Sequence, residues 1–211
     1  MGVRFIATLL LVGCASLHAQ APGIATVHTS EFGFSYSVPS DWQVTDAQPT
    51  PSELREQQTQ NAKTEEEKKG ISCLQIAMTA KHGDPTSVIV AMALPFNCFG
   101  QSMTEKDLPG FAQGGSEGLK QAFDLSEPSY VTYSLGNHNH WIERAKGTPK
   151  GHPEITYTVE IACGLLKKAA VCWMAMVPDE NTLHVFENGA VVLDGDSFPA
   201  LVPPNAFEKQ P

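Results

Sequence analysis

The stretch Phe32-Gly33-Phe34-Ser35-Tyr36-Ser37-Val38-Pro39 places a large apolar group at every second position and a small or polar one between. A period of two puts Phe32, Phe34, Tyr36 and Val38 on one face of a β-strand, and that face has to be buried against another layer. Pro39-Ser40-Asp41-Trp42 reads as a turn, after which Trp42-Gln43-Val44 returns the chain to the core. Further apolar runs follow at 71–79, 87–94, 130–134, 139–147, 155–163 and 169–177. Turn residues separate several of them: Ala80 to Pro85, Gly136-Asn137, Pro149-Lys150-Gly151 and Leu166-Lys167-Lys168. Connections this short join antiparallel neighbours, because a parallel crossover needs a dozen or more residues.

Two segments carry helical spacing. Residues 103–123 are anchored by Leu108, Phe111, Leu119 and Phe123 and are divided or weakened by Pro109, Gly110, Gly114, Gly115 and Gly118. A two-piece helix lying close to a sheet accommodates both the anchors and the glycines. Residues 179–189 predict a second, shorter helix with Leu183, Val185 and Phe186 on its apolar side, and 201–204 an extended tail. Residues 49–70 are rich in Gln, Glu and Lys, with Leu54 almost their only apolar anchor. Without an apolar stripe a helix gains little from packing, so this segment is expected as a polar helix or a mobile insertion.

The N-terminus has the layout of an export signal: Arg4, an apolar run over 5–13 and the small-residue exit Ala19-Gln20-Ala21. About nine apolar residues make a helix of about 14 Å, too short for a hydrocarbon core of about 30 Å. Residues 1–21 are therefore expected to be a signal peptide, and 22–211 a single exported domain, periplasmic or extracellular. Leu11-Val12-Gly13-Cys14 also has the form of a bacterial lipoprotein signal, in which Cys14 is lipidated and the leader ends before it. Both outcomes stay open, and a lipid on Cys14 is the only membrane attachment the chain suggests.

A net charge of −9 with scattered basic residues disfavours nucleic acid and anionic lipid as the main partner. Cys73, Cys98, Cys163 and Cys172 lie beyond the leader, and an even number in an exported chain favours two disulfides. A hairpin tipped at Lys167-Lys168 sets Cys163 opposite Cys172, which leaves Cys73 for Cys98. Crossed pairing and free thiols are the alternatives. No two cysteines have the close spacing of a structural zinc site.

The opening Phe32-x-Phe34-x-Tyr36-x-x-Pro39-x-x-Trp42, followed by hairpin, long helix, antiparallel strands and helix, resembles the Mog1/PsbP-like family, including its exported bacterial members. The resemblance implies an α+β fold in which an antiparallel β-sheet is covered by helices on both faces, an α-β-α sandwich. The family includes photosystem accessory proteins and a small-GTPase partner, which implies interaction surfaces more than shared catalysis.

Candidate chemistry is sparse. His138 and His140 in Asn137-His138-Asn139-His140-Trp141 share a strand face, about 6.8 Å apart, and with His152 or Glu143 as a third ligand they are weak metal candidates. The alternative is a solvent face at a strand start, with Trp141 turned to the core. Glu154 and Glu160 share parity, and paired charges on a wet sheet face explain them more simply than a general acid and base. Asp194-Gly195-Asp196 reads as a turn, and neither a nucleophile elbow nor a zincin helix occurs. No cofactor, catalytic residue or oligomeric state is indicated. The leading expectation is a non-enzymatic exported domain that binds or supports another envelope component, protein or small ligand. A small-molecule or metal-binding module and a hydrolase are the alternatives.

Overall fold

The computed structural model describes residues 23–29, 31–48, 59–60, 62, 64–100 and 103–207. The leader, Cys14 and most of 49–63 lie outside the described residues. Twelve strands and four α-helices are described. The strands are β1 (Ile24–Thr29), β2 (Phe34–Pro39), β3 (Gln43–Gln48), β4 (Gln75–His82), β5 (Ser87–Pro95) and β6 (Phe123–Leu125). They continue with β7 (Ser129–Leu135), β8 (His138–Pro149), β9 (Tyr157–Leu165), β10 (Ala169–Val177), β11 (Val191–Leu193) and β12 (Asp196–Phe198). The helices are α1 (Glu65–Cys73), α2 (Phe96–Phe99), α3 (Leu108–Leu119) and α4 (Glu180–Glu187).

An eight-stranded sheet runs β3-β4-β5-β10-β9-β8-β6, with β7 also on β8, and every pairing is antiparallel. One face carries α3, packed through Leu108 and Ala112 on Val159, Ile161, Cys163, Cys172 and Met174. Beside it α1 and α2 pack on Leu94 and Ala170. The opposite face carries α4 and a second sheet of order β1-β2-β11-β12. Phe34, Tyr36 and Val38 turn inward from β2, and Phe34 meets Trp173 edge to face at 5.2 Å between centroids. The fold is therefore α+β, an antiparallel sheet flanked by helices, with a small second sheet added to one flank.

Several elements differ from the sequence expectation. The run expected as a strand from 71 begins as helix: α1 continues to Cys73, and β4 starts at Gln75. A capping box at Thr64 and Glu67 starts α1, and Cys73 and Leu74 anchor its end against Phe96 and Phe99. The long helix is shorter than 103–123 and in one piece, with a 3₁₀ turn at Glu105–Asp107 leading into α3 and Phe123 opening β6. Gly115 lies over the sheet, where a Cβ would stand 3.3 Å from Met174 Cε and 3.5 Å from Ile161 Cδ1, so the glycine permits the close approach. The tail is no free extension: Leu201 and Val202 are buried, Leu201 O accepts from Tyr133 Oη at 2.9 Å and Val202 N donates to Glu187 O.

Gly189 is required by packing. A Cβ there would lie 2.5 to 2.6 Å from ring and hydroxyl atoms of Tyr36, a fully buried residue whose hydroxyl donates to Phe186 O at 2.8 Å. Gly189→Ala is expected to cost about 1–3 kcal/mol, the usual range for overpacking. Urea denaturation checks it, and an unchanged midpoint would show that Tyr36 has room to move.

Candidate functional site

β8 runs between the two flanks of the large sheet, and its alternation sends one set of side chains to each. His140, Ile142 and Arg144 point toward α4 and the small sheet, and Asn139, Trp141 and Glu143 toward α3.

The inward set is closed. His140 is 1% exposed, stacked on Tyr133 at 5.0 Å and 5° between planes. Its Nδ1 lies 3.0 Å from His138 O, and Gly164 leaves the space its ring fills. Burial holds its pKa down, to about 4, so the ring is neutral. His138 lies 3.7 Å from the Asp196 carboxylate and edge-on to Phe198. His152 sits beyond the far end of β8, mostly exposed and 3.2 Å from Glu154. The structure thus puts His138 and His140 on one face and leaves His152 apart from them. Among the described residues, no three His, Cys, Asp or Glu side chains form a metal-holding group.

Glu160 is not on a wet face, as its parity with Glu154 suggested. It is fully buried and takes a hydrogen bond from Arg144 Nε, while Arg144 Nη2 reaches Glu187. His184 Nδ1 lies 2.8 Å from the second Glu187 oxygen, and the Phe207 ring covers the Arg144 guanidinium at 4.1 Å. Desolvation raises the Glu160 pKa to about 7, against the opposing pull of Arg144. The second Glu160 oxygen, Oε1, has no hydrogen-bond partner among the described residues.

The outward set is only partly open, with Asn139 exposed, Trp141 half-buried and Glu143 buried. Trp141 turns to the core cluster beneath α3 but is only half-buried there, and Tyr130 of β7 stacks on it at 4.6 Å and 20° between planes. Tyr130 is 55% exposed, and among the described residues the other large hydrophobic residue so exposed is Ile24. At one end of this strip Asn139 donates to Glu105 at 2.6 Å and accepts from Ser134. At the other end Glu143 lies near Ser116 of α3 and Lys120 just beyond that helix, its pKa raised by burial. Asn139, Trp141 and Glu143 alternate along β8, so the strip is about 14 Å long. Its floor, made by β7 and β8, is aromatic, its ends are polar, and α3 lies along one side. The strongly desolvated groups His140 and Glu160 lie in the opposite layer.

Sequence reasoning singled out the segment 137–141 for its histidines and missed the Tyr130–Trp141 pair. The signal was present as Tyr130 and Thr132 alternating in a strand beside an aromatic neighbour, but the partner strand and register were needed to join them. Cys73 is bonded to Cys98 and Cys163 to Cys172.

No family model matches the chain, and no curated protein does either. Among solved structures it is similar to cyanobacterial PsbP (CyanoP) from Synechocystis sp. PCC 6803, with a TM-score of 0.45 and 9% identity over 83% of this chain and 91% of that one. It is also similar to LpqN, involved in cell envelope biogenesis of Mycobacterium tuberculosis, with a TM-score of 0.37 and 18% identity over 77% of this chain and 83% of that one. These are weak similarities of structure.

Proposed function

We propose that the protein is an exported, non-enzymatic domain that binds another envelope component along the strip between α3 and the β7–β8 hairpin. The observation that carries this reading is the exposed Tyr130 stacked on Trp141. Large aromatics at a polar-rimmed surface supply contact area at low entropic cost and are enriched where proteins associate. Two disulfides support an oxidising compartment, in keeping with the export signal. The placement of His140 and Glu160 inside a packed layer supports binding over catalysis, since a general acid or base has to reach a substrate.

A photoreactive phenylalanine analogue in place of the exposed Thr132 tests this in the native cell. The expected result is one discrete adduct, whose purified partner binds the wild-type protein at least about tenfold more tightly than Tyr130→Ala, a difference of about 1.4 kcal/mol. Equal binding by the two proteins would overturn the assignment of the strip.

A further inference from the structure

The β1–β2 turn, the β9–β10 tip and the β11–β12 turn surround an open cavity of about 420 Å³ on the small-sheet side of the molecule. We infer that this cavity binds a small organic monocarboxylate, whose anionic head meets Lys167 and Ser35 and whose apolar body lies against Val192. Cavities of this volume hold small molecules.

β2 sends Phe34, Tyr36 and Val38 inward, so Ser35 belongs to the outer face of the small sheet. It stands opposite Val192 in the β2–β11 register, and Val192, set between buried Val191 and Leu193, shares that face. An outer-face residue is ordinarily open to water, yet Ser35 is only 7% exposed. Among the described residues its hydroxyl has no hydrogen-bond partner. A hydroxyl more than nine-tenths buried, unpaired and set in the wall of a cavity calls for a partner from outside the chain.

The wall has its acceptors engaged and donors to spare. Thr29 O accepts from Phe32 N and Gly33 N, Phe34 O from Thr29 Oγ1, and Gly33 O from Asp194 N. Asp194 Oδ2 accepts from Lys167 N at 2.9 Å, and its Oδ1 lies against Gly33, where a Cβ would stand 2.8 Å away. What remains is the Ser35 hydroxyl and the Lys167 amine, which holds no carboxylate among the described residues. Such a lining selects a ligand rich in acceptors. Charge sets its valence: two lysines, Lys167 and Lys168, against Asp194 leave a single positive surplus, which a monoanion neutralises and a dianion exceeds. That surplus sits on a chain of net charge −9, so the cavity inverts the field of the rest of the protein. Asp194 also fixes the walls. Its N–H joins the β11–β12 turn to the β1–β2 turn, and its carboxylate joins both to the β9–β10 tip, so little ordering is left for the ligand to impose.

The test titrates the full mature chain with benzoate, phenylacetate and hexanoate, followed by amide NMR. Benzamide and benzylamine are controls of similar shape, and inorganic phosphate is an anion without an apolar body. At least one carboxylate is expected to saturate with a Kd below about 10 mM, moving the amides of Ser35, Lys167, Val192 and Gly195, and the two controls to bind at least about fivefold more weakly. Lys167→Gln and Ser35→Ala should each weaken binding several-fold. Asp194→Asn keeps an acceptor for Lys167 N and removes a negative charge, so it should tighten binding about twofold or more, which a purely structural role for Asp194 would not produce. Tyr130→Ala should change nothing, since Tyr130 is no part of this cavity, and that separates the fate of this site from that of the strip. Failure of all three carboxylates to saturate below about 10 mM, or equal binding of benzoate and benzamide, overturns the inference. Unchanged affinity in Lys167→Gln overturns it too. Phosphate binding as tightly as the carboxylates reduces the cavity to a general cationic patch, and shifts confined to Tyr130 and Trp141 move the ligand to the strip; either result overturns it as well.

Discussion

Replacing Arg144 with Met is expected to lower the unfolding free energy at pH 8 by about 3–5 kcal/mol, the cost of leaving a buried charge without its partner. Glu160 has no exposed surface, and Arg144 supplies its ion pair. The other groups facing it offer little help: Glu187 repels it, His184 attracts it only when charged, and Tyr36 and Tyr133 are themselves pushed up by burial and by Glu160. The loss should shrink at low pH, where Glu160 escapes by taking a proton. Its carboxyl has a pKa of about 7 in the folded wild type against 4.5 for the ordinary group, so the folded state binds more protons between those values. Wild-type stability attributable to this group therefore falls as pH rises from 4.5 to about 7 and is level above. Without Arg144 the folded carboxyl holds its proton to still higher pH, so the two proteins diverge as pH rises. Urea denaturation at pH 5 and pH 8 checks this. A loss of equal size at both would mean that Arg144 acts through packing against Phe207 rather than through Glu160. Glu160→Gln should flatten the wild-type slope over the same window.

That network shows where reading a chain by itself stops. The partnership of Arg144 with Glu160 depends on the β8–β9 register, which no local pattern encodes, so Glu160 looked like a surface charge. Trp141 does turn to a core cluster, but the sequence did not show that it stays half-buried. Both faces of β8 are covered along much of its length, and alternation then no longer separates core from solvent. By contrast, Phe34, Tyr36 and Val38 lie on one flank of a two-layer contact, and their period of two was sufficient to assign the inward face. The start of α1 was also written in the sequence, since Thr64 followed three residues later by Glu67 is a capping signature. The apolar run after Gly70 is too short to distinguish strand from helix, so the end of α1 at Cys73 was not legible. β11 and β12 have three residues each and carry no periodicity, so only their Asp194-Gly195 turn was visible, and the second sheet went unseen.

The two disulfides are expected to respond differently to the same reductant. Cys163 and Cys172 are directly opposed on β9 and β10 and fully buried beneath α3, whereas Cys98 is exposed on α2 and tied to the end of α1. Thiol exchange requires access to sulfur, so mild reduction of the native protein should release Cys73 and Cys98 first. Alkylation and intact mass should then show two added groups, with four appearing only as the protein unfolds. Chain entropy gives the second part of the expectation. The pairs are separated by 25 and 9 residues, which corresponds to about 3.5 and about 2.6 kcal/mol of loop-closure stabilisation. Cys73→Ala with Cys98→Ala should therefore lower stability by about 3.5 kcal/mol. Cys163→Ala with Cys172→Ala should lose about 2.6 kcal/mol from the loop and about 1–2 kcal/mol more from the void left among Val159, Ile161 and Met174. Urea denaturation separates the contributions, because reducing the inner pair while keeping its sulfurs restores the second loss but not the first. Simultaneous appearance of four alkyl groups under native conditions would mean that α3 lifts from the sheet as readily as α1 does. The Leu108 and Ala112 contacts, which hold α3 over the inner pair, would then be weaker than their burial implies.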